Sequence, residues 1–260
     1  MTKVAGHFGE ILQGRLGEDG PLALVTCPCP GFWAEARVRP SRNLTLYGSP
    51  AVSFLRLKAL LIGLGLPLAG RFTLRVTMPP GGGAGASTAG LVALARAVGV
   101  PPSPELIELV REIEGASDPL VFPHPERLIW ASREGRVLDL LPPLPRFQVL
   151  GGFWGEAQRT EPRDLAFPDV TDLAARIRGA DLQALAQVAS ASAQRCLGLR
   201  GPKGDPTEAL AARHGALGFL IAHTGSARGL IFAPGMAPRA AEADLRAAGF
   251  CKITRFSAGG

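Results

Sequence analysis

Tyrosine occurs once in 260 residues, and aromatic side chains together make up 6% of the chain. Single-stranded nucleic acids are bound on interleaved aromatic platforms, and no RNA-binding aromatic motif is present. Basic residues exceed acidic ones by 28 to 22, for a net charge of +6, yet no run of five or more basic residues occurs. The excess fits a local anion site better than a nucleic-acid face. Long hydrophobic runs are also missing. The most apolar stretch, 54–68, is broken by Arg56, Lys58, Gly63, Gly65 and Pro67. It is too short and too charged to span a bilayer, so it reads as a core helix and no membrane partner is expected. The N-terminal residues carry Lys3 and His7 but no apolar core, which is not the pattern of a signal peptide. Cysteine is scarce as well, with Cys27, Cys29, Cys196 and Cys251. Cys27 and Cys29 are too close for a metal knuckle. Reduced, buried thiols in the cytoplasm are expected.

What is present is enough for a core: 47% hydrophobic and 19% charged residues, in the range of folded chains. Alternation predicts strands over 34–39 and 71–77, with Phe72, Leu74 and Val76 on one face. Leu44 to Leu46 reads as a short partner of the first. A helix is predicted from near Ser87. A second is capped by Ser103, has Pro104 in its first turn, and ends at Gly115. Further strands are expected at 147–150, 218–222, 229–233 and 250–256, and helices around 172–178, 181–196 and 237–248. The mixture lacks a regular βαβ repeat, which favours an α+β class. The run Leu141-Pro142-Pro143-Leu144-Pro145 suits a stiff connector, dividing the chain into 1–143 and 144–260.

The segment from Pro79 to Ala89 lies between a strand and a helix. Its glycines let the backbone approach a ligand and turn N–H groups inward. The following helix adds unpaired N–H groups and a partial positive charge, so the place suits an anion, usually phosphate. Ser87 and Thr88 stand where a hydroxyl can ligate Mg²⁺ or touch a phosphate. A Walker A loop is excluded because no lysine precedes Ser87. A dinucleotide fingerprint would accept Gly81, Gly83 and Ala86, but Pro101-Pro102 and a helix stand where the second strand belongs.

Gly83-Ala84-Gly85-Ala86-Ser87-Thr88-Ala89 resembles the second motif of the GHMP kinases, Gly-Leu-Gly-Ser-Ser-Ala, with Ala84 for Leu and Ala86 for the first Ser. Gly6 to Gly14 resembles the family's N-terminal motif, with His7 in a place often held by Lys or Arg. His223 to Leu230 resembles the third. The wording of the first and third is closest to the L-threonine kinases of cobalamin synthesis and propanediol utilisation. The resemblance implies a two-domain fold, ribosomal protein S5 domain 2-like at the N-terminus and ferredoxin-like at the C-terminus, with ATP between them. It implies an ATP- and Mg²⁺-dependent kinase acting on a small hydroxy amino acid, with L-threonine first and homoserine or another GHMP acceptor as the alternative. A non-catalytic nucleotide-binding regulator is the reading from a different class. Oligomeric state is open, and a homodimer is compatible.

Site residues follow by resemblance. Pro80, Gly81, Gly82, Gly83, Ala84, Gly85, Ala86, Ser87 and Thr88 would hold ATP phosphates, with Ser87 on the metal. Asp118 would orient the acceptor hydroxyl and take its proton; from the residues alone it is equally an Asp-Pro turn. His7, Glu10, Gln13, Thr224, Gly225 and Ser226 would contact substrate. From the residues alone Glu10 and Gln13 are an exposed loop pair and Thr224 to Ser226 a polar hairpin turn. Gly151-Gly152 closes the acceptor pocket or is an ordinary turn, and His124 and His214 have no evident partner.

Overall fold

A computed structural model describes residues 3–158, 161 and 163–260. Its strands are β1 (Lys3–Arg15), β2 (Leu22–Arg39), β3 (Thr45–Gly48), β4 (Arg71–Val76), β5 (Leu128–Ala131), β6 (Arg136–Leu140), β7 (Phe147–Phe153), β8 (Gly218–Ile221), β9 (Ala227–Phe232) and β10 (Cys251–Ala258). They form one ten-stranded sheet in the order β10-β7-β9-β8-β1-β2-β4-β3, with β5 and β6 joined to β2 through β5. The helices are α1 (Phe54–Gly63), α2 (Ala86–Ala97), α3 (Pro104–Glu114), α4 (Thr171–Arg176), α5 (Leu182–Arg200), α6 (Thr207–Arg213) and α7 (Arg239–Ala247).

The best-patterned segments form as expected. In β4 Phe72 and Leu74 are buried and Arg71, Thr73 and Arg75 exposed. Ser103 caps α3 by accepting from the Leu106 N–H at 3.2 Å, and Gly115 ends it at φ 75°, a left-handed conformation that costs glycine least. The core helix expected over 54–68 stops at Gly63 and buries one face only, through Leu57, Leu60 and Leu61, while Leu55 and Ile62 remain exposed.

Other expectations change. Leu46 pairs with β4 in parallel rather than with 34–39, because β4 already occupies that edge of β2. Gly151 and Gly152 lie inside β7, not at a turn, and a side chain at Gly151 would strike the Arg228 carbonyl at 2.2 Å. They pack strand against strand and do not close a pocket. Cys251 is exposed, unlike the other three cysteines. His214 does have a partner, the Asp244 carboxylate at 2.9 Å.

The strand that matters most for the site is β1. It joins β2 on one side and meets β8 on the other at Glu10 and Ile221. His7, Glu10 and Gln13 are spaced by three, which in a regular strand would put Glu10 on the opposite face. The register shifts between His7 and Glu10 and again between Glu10 and Leu12. Each bulge inserts one residue and reverses the parity, so all three side chains reach the same cavity. Gly9, at φ 66°, sits at the first shift, where a Cβ would meet the Ile221 backbone at 2.8 Å.

Candidate active site

The glycine loop between β4 and α2 is held from outside by its carbonyls. Those of Gly81, Gly82, Gly83 and Ala84 accept from the N–H groups of Gln158 (3.0 Å), Ala227 (2.9 Å), Gly9 (3.1 Å) and His7 (3.2 Å). With the carbonyls turned outward, the amides face the other way. Among the described residues, no N–H from Gly83 to Thr88 donates to a protein acceptor. Gly81, Gly83 and Gly85 have φ of 74°, 69° and 70°, and left-handed glycines of this kind curl the backbone into an anion-binding nest. Gly225 supports the loop from behind: a Cβ there would lie 2.4 Å from the Gly83 nitrogen.

The loop opens onto a cavity of about 300 Å³. At the start of α2 the Ser87 and Thr88 hydroxyls both bond the Glu114 carboxylate, Thr88 at 2.9 Å. Arg56, from the first turn of α1, reaches Ser87 at 2.9 Å and Glu114 at 3.1 Å. Burial pushes the Glu114 carboxyl up, opposed by the Ser87 bond, the Arg56 charge and the Thr88 bond. Two hydroxyls and one carboxylate are hard oxygen donors. Magnesium is usually held by one or two carboxylates together with substrate phosphates, so this donor set fits it.

Asp118 lies on the same cavity, four residues beyond the end of α3. The residue before it is pinned on both sides: the Ser117 N–H donates to the Ser132 carbonyl at 2.9 Å, and its carbonyl accepts from Trp130 Nε1 at 2.7 Å. His7 Nε2 is 3.3 Å from Asp118 Oδ2, and Nδ1 faces the Gly9 carbonyl at 3.2 Å. Burial lowers the His7 pKa, but Asp118, then Glu10 and the Gly9 carbonyl, raise it to about 9. An imidazolium therefore lies beside Asp118 and beneath Gly85.

The fold thus brings together the loop residues Pro80 to Thr88 with His7, Glu10, Gln13, Asp118 and Thr224. Glu10 and Gln13 are 6% exposed and belong to a strand, not to an exposed loop. Gly225 and Ser226 do not line the cavity; Ser226 is buried and its carbonyl accepts from the Trp154 N–H at 2.8 Å. Glu114 was missed by sequence reasoning, as were Arg56, Ser117, Ser132 and Arg133. For Glu114 a signal exists, since it follows Val110 by four on the buried stripe of α3.

Three solved structures place this architecture. A phosphomevalonate kinase of Streptococcus pneumoniae superposes with a TM-score of 0.68 at 10% identity, covering 100% of this chain and 98% of its own. The L. major mevalonate kinase in complex with R-mevalonate gives 0.67 at 15%, covering 99% and 96%. The chain has the GHMP kinase fold. A homoserine kinase from Cytophaga hutchinsonii gives 0.58 at 16%, covering 98% and 93%. No family model and no curated protein sequence matches the chain. Among the described residues of this GHMP-fold chain, no helix is long and apolar enough to cross a membrane.

Proposed function

We propose that the chain is an ATP-dependent phosphotransferase acting on the hydroxyl of a small amino acid, with L-threonine the best candidate and L-threonine O-3-phosphate the product. The observation that carries the phosphotransferase reading is the meeting, in one cavity, of unpaired loop amides, the Ser87–Thr88–Glu114 oxygen cluster and Asp118. The threonine preference rests on the wording of the first and third motifs.

The loop N–H groups and the N-terminus of α2 bind the β- and γ-phosphates. Ser87 and Glu114 would hold Mg²⁺, which would neutralise charge on the phosphate oxygens. Asp118 aligns the acceptor hydroxyl and takes its proton as the oxygen bonds to the γ-phosphorus. The bond from that phosphorus to the bridging oxygen breaks, and ADP leaves with the electron pair. His7 adds positive charge beside Asp118. Positioning and electrostatics supply most of the acceleration in such reactions.

The test is ADP release from Mg-ATP across L-threonine, L-serine, L-homoserine and related alcohols. At least one acceptor should stimulate release, and Asp118→Asn should lower that turnover by about two orders of magnitude or more while nucleotide affinity stays within a few-fold. No stimulation by any acceptor would leave a nucleotide-binding protein without transferase activity.

A further inference from the structure

The phosphate loop and its carboxylate leave one wall of the cavity without a task. That wall is built on three adjacent strands. Gln13 of β1 pairs with Leu24 of β2, and Leu24 pairs with Trp130 of β5. Paired residues share a face, and Ser132, two residues beyond Trp130, continues it. Its N–H bonds the Leu22 carbonyl at 3.2 Å, carrying the pairing one residue past β5. Gln13 and Ser132 therefore stand about 12 Å apart, two strand spacings across and two residues along, the scale of a small molecule held between side chains.

Three polar atoms on or beside this wall are buried without a partner: Gln13 Oε1, Ser132 Oγ and, from the segment after α3, Ser117 Oγ. Their residues are 6%, 3% and 4% exposed, and all three line the cavity. Unpartnered buried polar groups cost free energy in an isolated chain, so an arrangement of three around one space points to a polar ligand. Arg133, next to Ser132, lines the same space. Its Nη2 donates to the Glu161 carbonyl at 3.2 Å, while its Nε is buried and unpartnered. Asp164, Asp118 and Glu161 lie close enough to act on its charge, but Asp164 is paired with Arg200. Among the described residues no carboxylate lies within ion-pair distance of Arg133.

We infer that Arg133, with the Ser117 and Ser132 hydroxyls, is the recognition site for a carboxylate on the phosphoryl acceptor. Guanidinium and hydroxyl donors are matched to a carboxylate, while Gln13 Oε1 and the Glu10 carboxylate are acceptors and suit an ammonium group. Asp118 follows Ser117 directly, so the carboxylate is held beside the reacting hydroxyl. The occupant is an amino acid bearing a short hydroxylated side chain, not an amino alcohol. This deepens the phosphotransferase reading and rests on it.

The experiment compares matched acceptors with and without the carboxylate: L-threonine and 1-amino-2-propanol, L-serine and ethanolamine, L-homoserine and 3-amino-1-propanol. With saturating Mg-ATP the native chain should favour the carboxylated member of its best pair by about 100-fold in kcat/KM. In Arg133→Gln the two members should converge to within about threefold, chiefly through a raised KM for the amino acid. Ser132→Ala should shift the ratio the same way by a smaller factor, and covers the case in which the arginine variant does not fold. A native preference for the decarboxylated member, or a preference that survives in Arg133→Gln, overturns the inference. If no acceptor yields ADP, the phosphotransferase reading fails by itself. Calorimetry of the three amino acids on protein loaded with a non-hydrolysable Mg-nucleotide then decides: binding to the native chain that is lost in Arg133→Gln upholds the carboxylate site, and equal binding or none overturns it.

Discussion

A buried imidazole normally loses its proton, since burial disfavours the charged form. His7 is 2% exposed, yet Asp118 at 3.3 Å and Glu10 at 3.8 Å outweigh the burial and raise its pKa to about 9. The folded value lies above the ordinary 6.5, so the stability this charge brings is complete below about pH 6.5 and lost as pH rises through about 9. On the proposed reading the same cation would support transfer chemistry at Asp118. Acceptor kcat/KM of the native chain should therefore fall along an alkaline limb near pH 9. His7→Gln should begin about ten- to a hundredfold lower and show no such limb; a limb that persists in the variant belongs to another group. Asp118 and Ser87 were legible because each sits beside a glycine-marked helix end. Arg133 and Ser132 were not, because they lie in an ordinary turn after β5 whose importance appears only when β5 pairs with β2.

Caps and strict alternation made β4 and α3 readable, since both are local signals. β1 was not readable. Its stretch from Gly6 to Gln13 is buried throughout, so no face alternates, and the two bulges within that stretch replace the period of two by a spacing of three. The third-motif turn between β8 and β9 was read as a lining segment, and only Thr224 fulfils that. Gly225 instead backs the phosphate loop. Its carbonyl accepts from Arg228 Nη1 at 2.9 Å, while Arg228 Nε bonds Asp205 at 2.7 Å in a buried pair. The turn is thus a rigid stop under Gly82 and Gly83. Gly225→Ala would place a methyl 2.4 Å from the Gly83 nitrogen and 2.5 Å from the Gly82 carbonyl carbon, with backbone on both sides and little room to yield. Displacing loop amides from their phosphate should weaken Mg-nucleotide binding by about tenfold or more, measured by calorimetry on variant protein that still melts cooperatively. An unchanged dissociation constant would show that the loop keeps its shape without this support.

Among the described residues the sheet is continuous, and β1 is where its two halves meet. The strands preceding the Leu141–Pro145 connector lie on the β2 side, and those following it lie on the β8 side. The cavity draws on both: the glycine loop, Glu114 and Asp118 come from before the connector, Gln158 and Thr224 from after it. A nucleotide bound there touches parts of the chain that are far apart in sequence, so it stabilises only the assembled fold. At a ligand concentration of about 100 times its dissociation constant, that linkage is worth about 2.7 kcal/mol, or roughly 5–10 °C in Tm for a chain of this size. Mg-nucleotide should give a shift of this order, and NAD should give none, because the loop lacks the second strand that a dinucleotide fold requires. The oxygen cluster divides the effect further. Glu114→Gln keeps the shape and can still accept from Ser87 and Thr88, but removes the charge that would hold Mg²⁺. Nucleotide without metal should stabilise the variant and the native chain alike, whereas the additional shift on adding Mg²⁺ should appear only in the native chain. A metal-dependent increment of the same size in Glu114→Gln would place the metal on other ligands, and equal stabilisation by NAD would return the loop to a dinucleotide site.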